Sequence, residues 1–180
     1  MRKILVMTFS EWIKIVAKKG YLCDEYKDKV DKALSKKQIM DIALDANGSE
    51  YLPKLQCVNL SLPYDIICKS FNSYINGRYI AEYKNGRGNG YTSSMYCCYS
   101  DDDAVVVETT VITFLGCKCV VRVKKNDYVK INADCNCELI IDCPPTARSV
   151  VEYWGDAKIE VIGNYGNVEL INNGNEEIRL

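Results

Sequence analysis

The chain has 180 residues, 48% of them apolar and 26% charged, with a net charge of −1. That is enough apolar side chain for a packed core, and too little net charge to draw the molecule to nucleic acid or to a membrane surface. There is no histidine, which removes Ser-His-Asp and Cys-His nucleophile systems, imidazole metal sites and the usual general base near neutral pH.

Met1–Met7 reads as a short strand or an arm. It is too interrupted by Thr8, Ser10 and Glu11 for a signal peptide, and no stretch approaches the roughly 20 apolar residues of a membrane span. Thr8 and Glu11 form a capping-box pattern that starts a helix with Phe9, Trp12, Ile13 and Val16 on one face and a stop at Gly20. A second helix runs from about Asp24 to Leu34. A third starts after Ser35, with Gln38 in capping-box position, buries Ile39, Ile42, Ala43 and Ala46, and ends at Asn47-Gly48. Residues 49–60 read as irregular. Pro63 opens a fourth helix with the stripe Tyr64, Ile67, Phe71, Tyr74 and Ile75, ended by Asn76-Gly77.

The pattern then changes to strands. Arg78–Tyr83 and Tyr91–Tyr99 form a hairpin (78–99) around Asn85-Gly-Arg-Gly-Asn-Gly90. After a turn at Asp101-Asp-Asp103, Ala104–Leu115 is one long β-branched run and reads as a strand. From Gly116 onward apolar pairs recur every 8–11 residues: Val121/Val123, Val129/Ile131, Leu139/Ile141, Val150/Val151, Ile159/Val161 and Val168/Leu170. Turn signals separate them. Strands this short bury an apolar face only by stacking. The expected fold is α+β: a helical N-terminal part, 1–76, and a repetitive β part, 77–180. The β part is a small solenoid with two strands and about 18–20 residues per coil, or else an antiparallel sandwich. In a solenoid, the helices can cap one end.

The chain has ten cysteines, read as thiols in a reducing cytoplasm. Cys117-x-Cys119 and Cys135-x-Cys137 lie 18 residues apart. If coils stack in that register, Cys117 lies over Cys135 and Cys119 over Cys137, about 4.8 Å apart. Such a cluster is an inward ladder of small apolar side chains, a zinc site on Cys117, Cys119, Cys135 and Cys137, or a set of inter-coil disulfides. The ladder is preferred, because the spacing is not a Cys-x-x-Cys knuckle and a strand pair is a poor tetrahedral cage. Adjacent Cys97 and Cys98 face opposite sides of a strand, one toward the core and one toward the surface. Cys23, Cys57, Cys68 and Cys143 lie in unrelated contexts, and nothing in the sequence singles out a reactive thiol.

The Gly-rich segment lacks the following helix and Lys-Ser/Thr of a phosphate loop. It is read as a hairpin tip whose Arg87, Asn89 and Tyr91 are candidate partner contacts. Asp101-Asp-Asp103 lacks the spaced ligands of a calcium loop and reads as a solvated turn. The first half carries 15 Lys/Arg against 10 Asp/Glu, the second 8 against 14. The helical lysines are interspersed with acids, which suggests an ion-paired solvent face rather than a nucleic-acid stripe.

Leu44-Asp-Ala-Asn-Gly48, Leu62-Pro-Tyr, Ile75-Asn-Gly-Arg-Tyr-Ile and Gly90-Tyr-Thr-Ser-Ser-Met-Tyr-Cys-Cys resemble small uncharacterised proteins of Bacteroides-type gut bacteria and their phages. That resemblance implies a mobile-element setting and a cytoplasmic or virion location, and carries no functional residues. The expected function is non-enzymatic binding of a protein partner, for example a host defence component, with a homo-oligomer plausible and no cofactor. The alternatives are a virion structural or decoration protein and a Cys-dependent enzyme or small-ligand binder.

Overall fold

A computed structural model describes residues 7–19, 22–45, 48–57, 61–71, 74–75, 78–84, 92–99, 104–125, 127–163 and 167–174. Five helices come first: α1 (Phe9–Lys18), α2 (Asp24–Lys32), α3 (Lys36–Leu44), α4 (Tyr51–Gln56) and α5 (Tyr64–Phe71). Both expected capping boxes form, Thr8 with Glu11 and Ser35 with Gln38. Phe9, Trp12 and Val16 of α1 are fully buried, and each such side chain contributes about 1.5–3 kcal/mol on leaving water.

Strands follow. The first three are β1 (Tyr74–Ile75), β2 (Arg78–Lys84) and β3 (Thr92–Cys97). Then come β4 (Ala104–Val107), β5 (Val111–Leu115), β6 (Lys118–Val123), β7 (Tyr128–Ala133), β8 (Glu138–Cys143), β9 (Arg148–Tyr153), β10 (Lys158–Gly163) and β11 (Val168–Asn172). They form a seven-stranded sheet, β1-β2-β3-β5-β7-β9-β11, and a four-stranded sheet, β10-β8-β6-β4. β2 and β3 are an antiparallel hairpin, and from β3 onward every pairing is parallel. Successive strands alternate between the two sheets, so the chain winds a β-solenoid of about four turns. The parallel pairing excludes the antiparallel sandwich.

The coil has a fixed length. Lys118 is opposite Glu138, Glu138 opposite Lys158, and Tyr128 opposite Arg148, a step of 20 residues each time. Each half-coil is a six-residue strand and a four-residue turn, closed by Asp127 N to Lys124 O, Cys137 N to Asp134 O, Ala147 N to Pro144 O or Ala157 N to Trp154 O. The same inter-coil hydrogen bond recurs at 2.9 Å from Lys118 N to Tyr99 O, Glu138 N to Cys117 O and Lys158 N to Cys137 O. Inside, Val105, Val121, Ile141 and Val161 form one column, and Ile112, Ile131 and Val151 face them from the other sheet. Phe114 lies beside Ala133, which lies beside Tyr153, so large and small side chains interleave.

Four expectations are corrected. Residues 51–56, read as irregular, form α4. Its Pro53 sits in the first turn, where a missing N–H costs no helical bond. The fourth expected helix ends at Phe71, and Tyr74–Ile75 is β1, with Ile75 opposite Arg78. An Asn-Gly pair between β-rich residues is a hairpin signal as well as a helix stop. The run 104–115 is two strands in different sheets. Its corner at Thr109 is held by a side-chain bond to Val111 O at 3.0 Å and by Ser94 Oγ at 3.2 Å, where β-branching gave no sign of a turn. Finally, the helices do not sit over an end of the coil. They cover the outer face of the seven-stranded sheet, where Met95, Cys97 and Leu115 are buried in the helical core.

Candidate functional site

The 20-residue step decides where the cysteines go. Cys119 stacks on Leu139, not on Cys137. Cys117 meets Cys137 instead, its N–H 3.4 Å from the Cys137 sulfur. Cys135 lies on the turn and faces away from the coil interior: its N–H donates to the Cys57 sulfur at 3.0 Å. The expected four-thiol cluster, with Cys117 over Cys135 and Cys119 over Cys137, is therefore not brought together. The register that suggested it was two residues short. The inward placement holds for Cys117, Cys119 and Cys137, all buried. Burial pushes the Cys117 and Cys137 thiols well up, which suits packing and opposes thiolate chemistry. Among the described residues no three Cys, Asp or Glu side chains are placed to hold a metal.

The turn that carries Cys135 holds a group that sequence reasoning missed. Asp134 is fully buried. It accepts hydrogen bonds from Tyr64 Oη at 2.7 Å, Gly116 N at 3.0 Å, Asn136 N at 3.1 Å and the Cys137 thiol at 3.2 Å. Burial raises its pKa, and these donors offset that only in part. The Asn136 amide also donates to Tyr64 Oη at 2.7 Å. Tyr64 lies flat over Gly116, whose φ is +59° and where a Cβ would come within 2.7 Å of the ring. Only glycine serves there. This corner fastens α5 to the coil. The signal in the sequence was an Asp-x-Asn beside a turn, the pattern of an Asx-turn.

Cys23 and Cys98 are the thiols exposed to solvent. Cys97 is buried and Cys98 exposed, as expected from their adjacency. A hydrogen bond from the Cys97 thiol holds Cys98 below the usual thiol range, and one from Tyr51 does the same for Cys23. Cys98 has a left-handed backbone, φ +53°. Both thiols are chemically accessible, yet no base or second catalytic group converges on either. Arg87, Asn89 and Tyr91 lie outside the described residues, as do Asp101–Asp103.

The largest depression, about 410 Å³, lies on the outer face of the four-stranded sheet. Outward side chains alternate with inward ones along each strand, and rows form across strands. One row is ionic: Lys118 pairs with Glu138 at 3.3 Å and Glu138 with Lys158 at 2.9 Å. The next is mostly apolar: Ala104, Val120, Ile140, then Glu160. The third carries the Arg122–Asp142 pair at 3.6 Å between exposed Val106 and Ile162. The result is an apolar floor between two charged rims. Among the described residues, no helix is long and apolar enough to cross a membrane.

Parallel strands alternating between two sheets, with a constant coil length, define a β-solenoid with an N-terminal helical layer. No family model, curated protein or solved structure matches the chain.

Proposed function

We propose that the protein is a non-enzymatic binding module of phage or mobile-element origin, which docks a protein partner on the outer face of its four-stranded sheet. The observation that supports this is the floor of Val120 and Ile140 between the Lys118–Glu138–Lys158 row and the Arg122–Asp142 pair. Apolar burial at the centre of an interface gives affinity, and charges at its rim set register and reject wrong partners. The lack of histidine and of a convergent acid–base set supports a binding role over catalysis. The mobile-element setting, and a host defence component as partner, follow from the sequence resemblance alone.

A photo-crosslinking residue placed at Val120, with one at Lys32 on the helical layer as control, tests this in host lysate. The expected result is a discrete adduct from position 120. It should be abolished by Ile140→Arg and unaffected by Lys36→Glu. Adducts of the same identity and yield from both positions, or an adduct indifferent to Ile140→Arg, would overturn the reading.

A further inference from the structure

We propose that β10 is a self-association edge, on which a second copy of this chain adds its own β10, antiparallel, about a two-fold axis through Ile159. β10 bonds to β8 on one side, and among the described residues no strand pairs with its other side. Lys158 N–H points toward β8, donating to Cys137 O at 2.9 Å. Alternation along a strand therefore turns the N–H and C=O of Ile159 and of Val161 outward. A row of unpaired backbone groups is a template for another strand.

The occupant is chosen by charge. Antiparallel self-pairing of β10 has three central registers. A two-fold axis at Glu160 sets Glu160 against its own copy, which repels. An axis at Val161 sets Glu160 against Ile162, which leaves the carboxylate unanswered. An axis at Ile159 sets Lys158 against the second copy's Glu160, twice over, and lets the two Ile159 residues exchange both backbone hydrogen bonds. The intrachain row already alternates in sign, with Lys118, Glu138 and Lys158 linked at 3.3 and 2.9 Å. The second copy's Glu160 continues it as the next negative member. Lys158 has room to take a further partner, since its side chain is 75% exposed. Glu160 has no ion pair among the described residues. Isologous pairing of this kind closes at two chains.

This pairing does not depend on a protein docking on Val120 and Ile140, and different variants probe it. Native mass spectrometry and sedimentation velocity on the full chain give the oligomeric state. A dimer is expected. Lys158→Glu and Glu160→Lys should each weaken it roughly tenfold, since each sets two like-charge pairs face to face. An equimolar mixture of the two variants should form a heterodimer at wild-type strength, because the charges are then opposite again. Both positions are exposed, and unchanged circular dichroism and melting temperature verify folding. A monomer at every concentration, a trimer, a dimer indifferent to both reversals, or a mixture that fails to recover would each overturn the proposal.

Discussion

The two sheets of this coil share a winding but differ in what lies outside them. On the seven-stranded sheet the outer face is covered by helices, and β5 is buried at all five positions, Val111 to Leu115. On the four-stranded sheet the outer face is bare, and β8 alternates between buried and half-buried along its six residues. The covered face uses contacts with no freedom to change. Ser93 Oγ donates to Leu44 O, and Thr113 Oγ1 to Ser49 O at 3.3 Å. Lys130 sits between Glu50 and Glu152 at 3.0 Å each, and Asp134 holds Tyr64. The bare face uses exposed ion pairs, each worth little to stability but arranged in rows. One coil thus divides its labour: the face under the helices carries stability, and the opposite face is free to carry recognition.

The sharpest way to break this comparison is to place the same charge on each face. Leu115→Asp buries an unpaired carboxylate beneath the helices and should cost at least about 4–5 kcal/mol. Val120→Asp, on the bare face, should cost only about 1 kcal/mol; urea unfolding of both variants measures the difference. Equal losses would mean that the bare face is structural too.

Asp134→Ala comes next. It strips the acceptor from two backbone N–H groups, Tyr64 Oη and the Cys137 thiol. About 2–4 kcal/mol should be lost in urea unfolding, because each orphaned buried donor carries its own penalty. Asp134 also has an unusual pH signature. Burial holds its pKa above the ordinary value, so the penalty of ionising it in the folded state acts above that raised pKa. The penalty lifts as pH falls toward the ordinary carboxylate range. Asp134→Asn should therefore remove a component of stability that grows on acidification, seen by comparing melting temperatures from neutral to acidic pH.

Lys130→Met should cost about 1–2 kcal/mol, since it leaves Glu50 and Glu152 facing each other without a cation. Burial opposes the Lys130 charge, but Glu152 and Glu50 outweigh it and hold the pKa above the usual lysine value. The stability this gives is present below the unfolded-state pKa and is lost as pH rises through the folded-state value. Alkaline melting curves should show that loss in the wild type and not in the variant. Smallest of all is Lys124→Ala, which breaks an exposed pair with Glu108 at 2.6 Å. A change of under about 0.5 kcal/mol in urea unfolding is expected, and a larger one would show that exposed pairs near the corners brace the coil.

Much of this architecture was legible, and the misses have physical causes. The capping boxes at Thr8 and Ser35 are local chemistry and were read directly. The apolar pairs from Val121 to Leu170 marked each strand of the coil, because inward positions alternate. β5 and β6 could be told apart from their residues alone: Val-Ile-Thr-Phe-Leu has no polar face, whereas Lys-Cys-Val-Val-Arg-Val has one. The coil length was misjudged because cysteine is conspicuous. Cys135 and Cys137 repeat the spelling of Cys117 and Cys119, but the coil repeats position, and position places Cys137 against Cys117. The small corner residues Cys117, Cys137 and Ala157 carry the true period. Asp134 was missed because its partners Tyr64 and Gly116 are distant in sequence, and a buried carboxylate is defined by its donors.

A coil of invariant length has a consequence for how such a chain can change. An insertion of one or two residues inside it would turn every inward side chain of a strand outward or misplace a corner. Duplication of a whole 20-residue segment would instead preserve every column and lengthen the stack by one strand spacing, about 4.8 Å. Growth is therefore quantised. The docking face extends by one rung per duplication while the helical layer stays where it is, so gene length becomes a ruler for the reach of the surface.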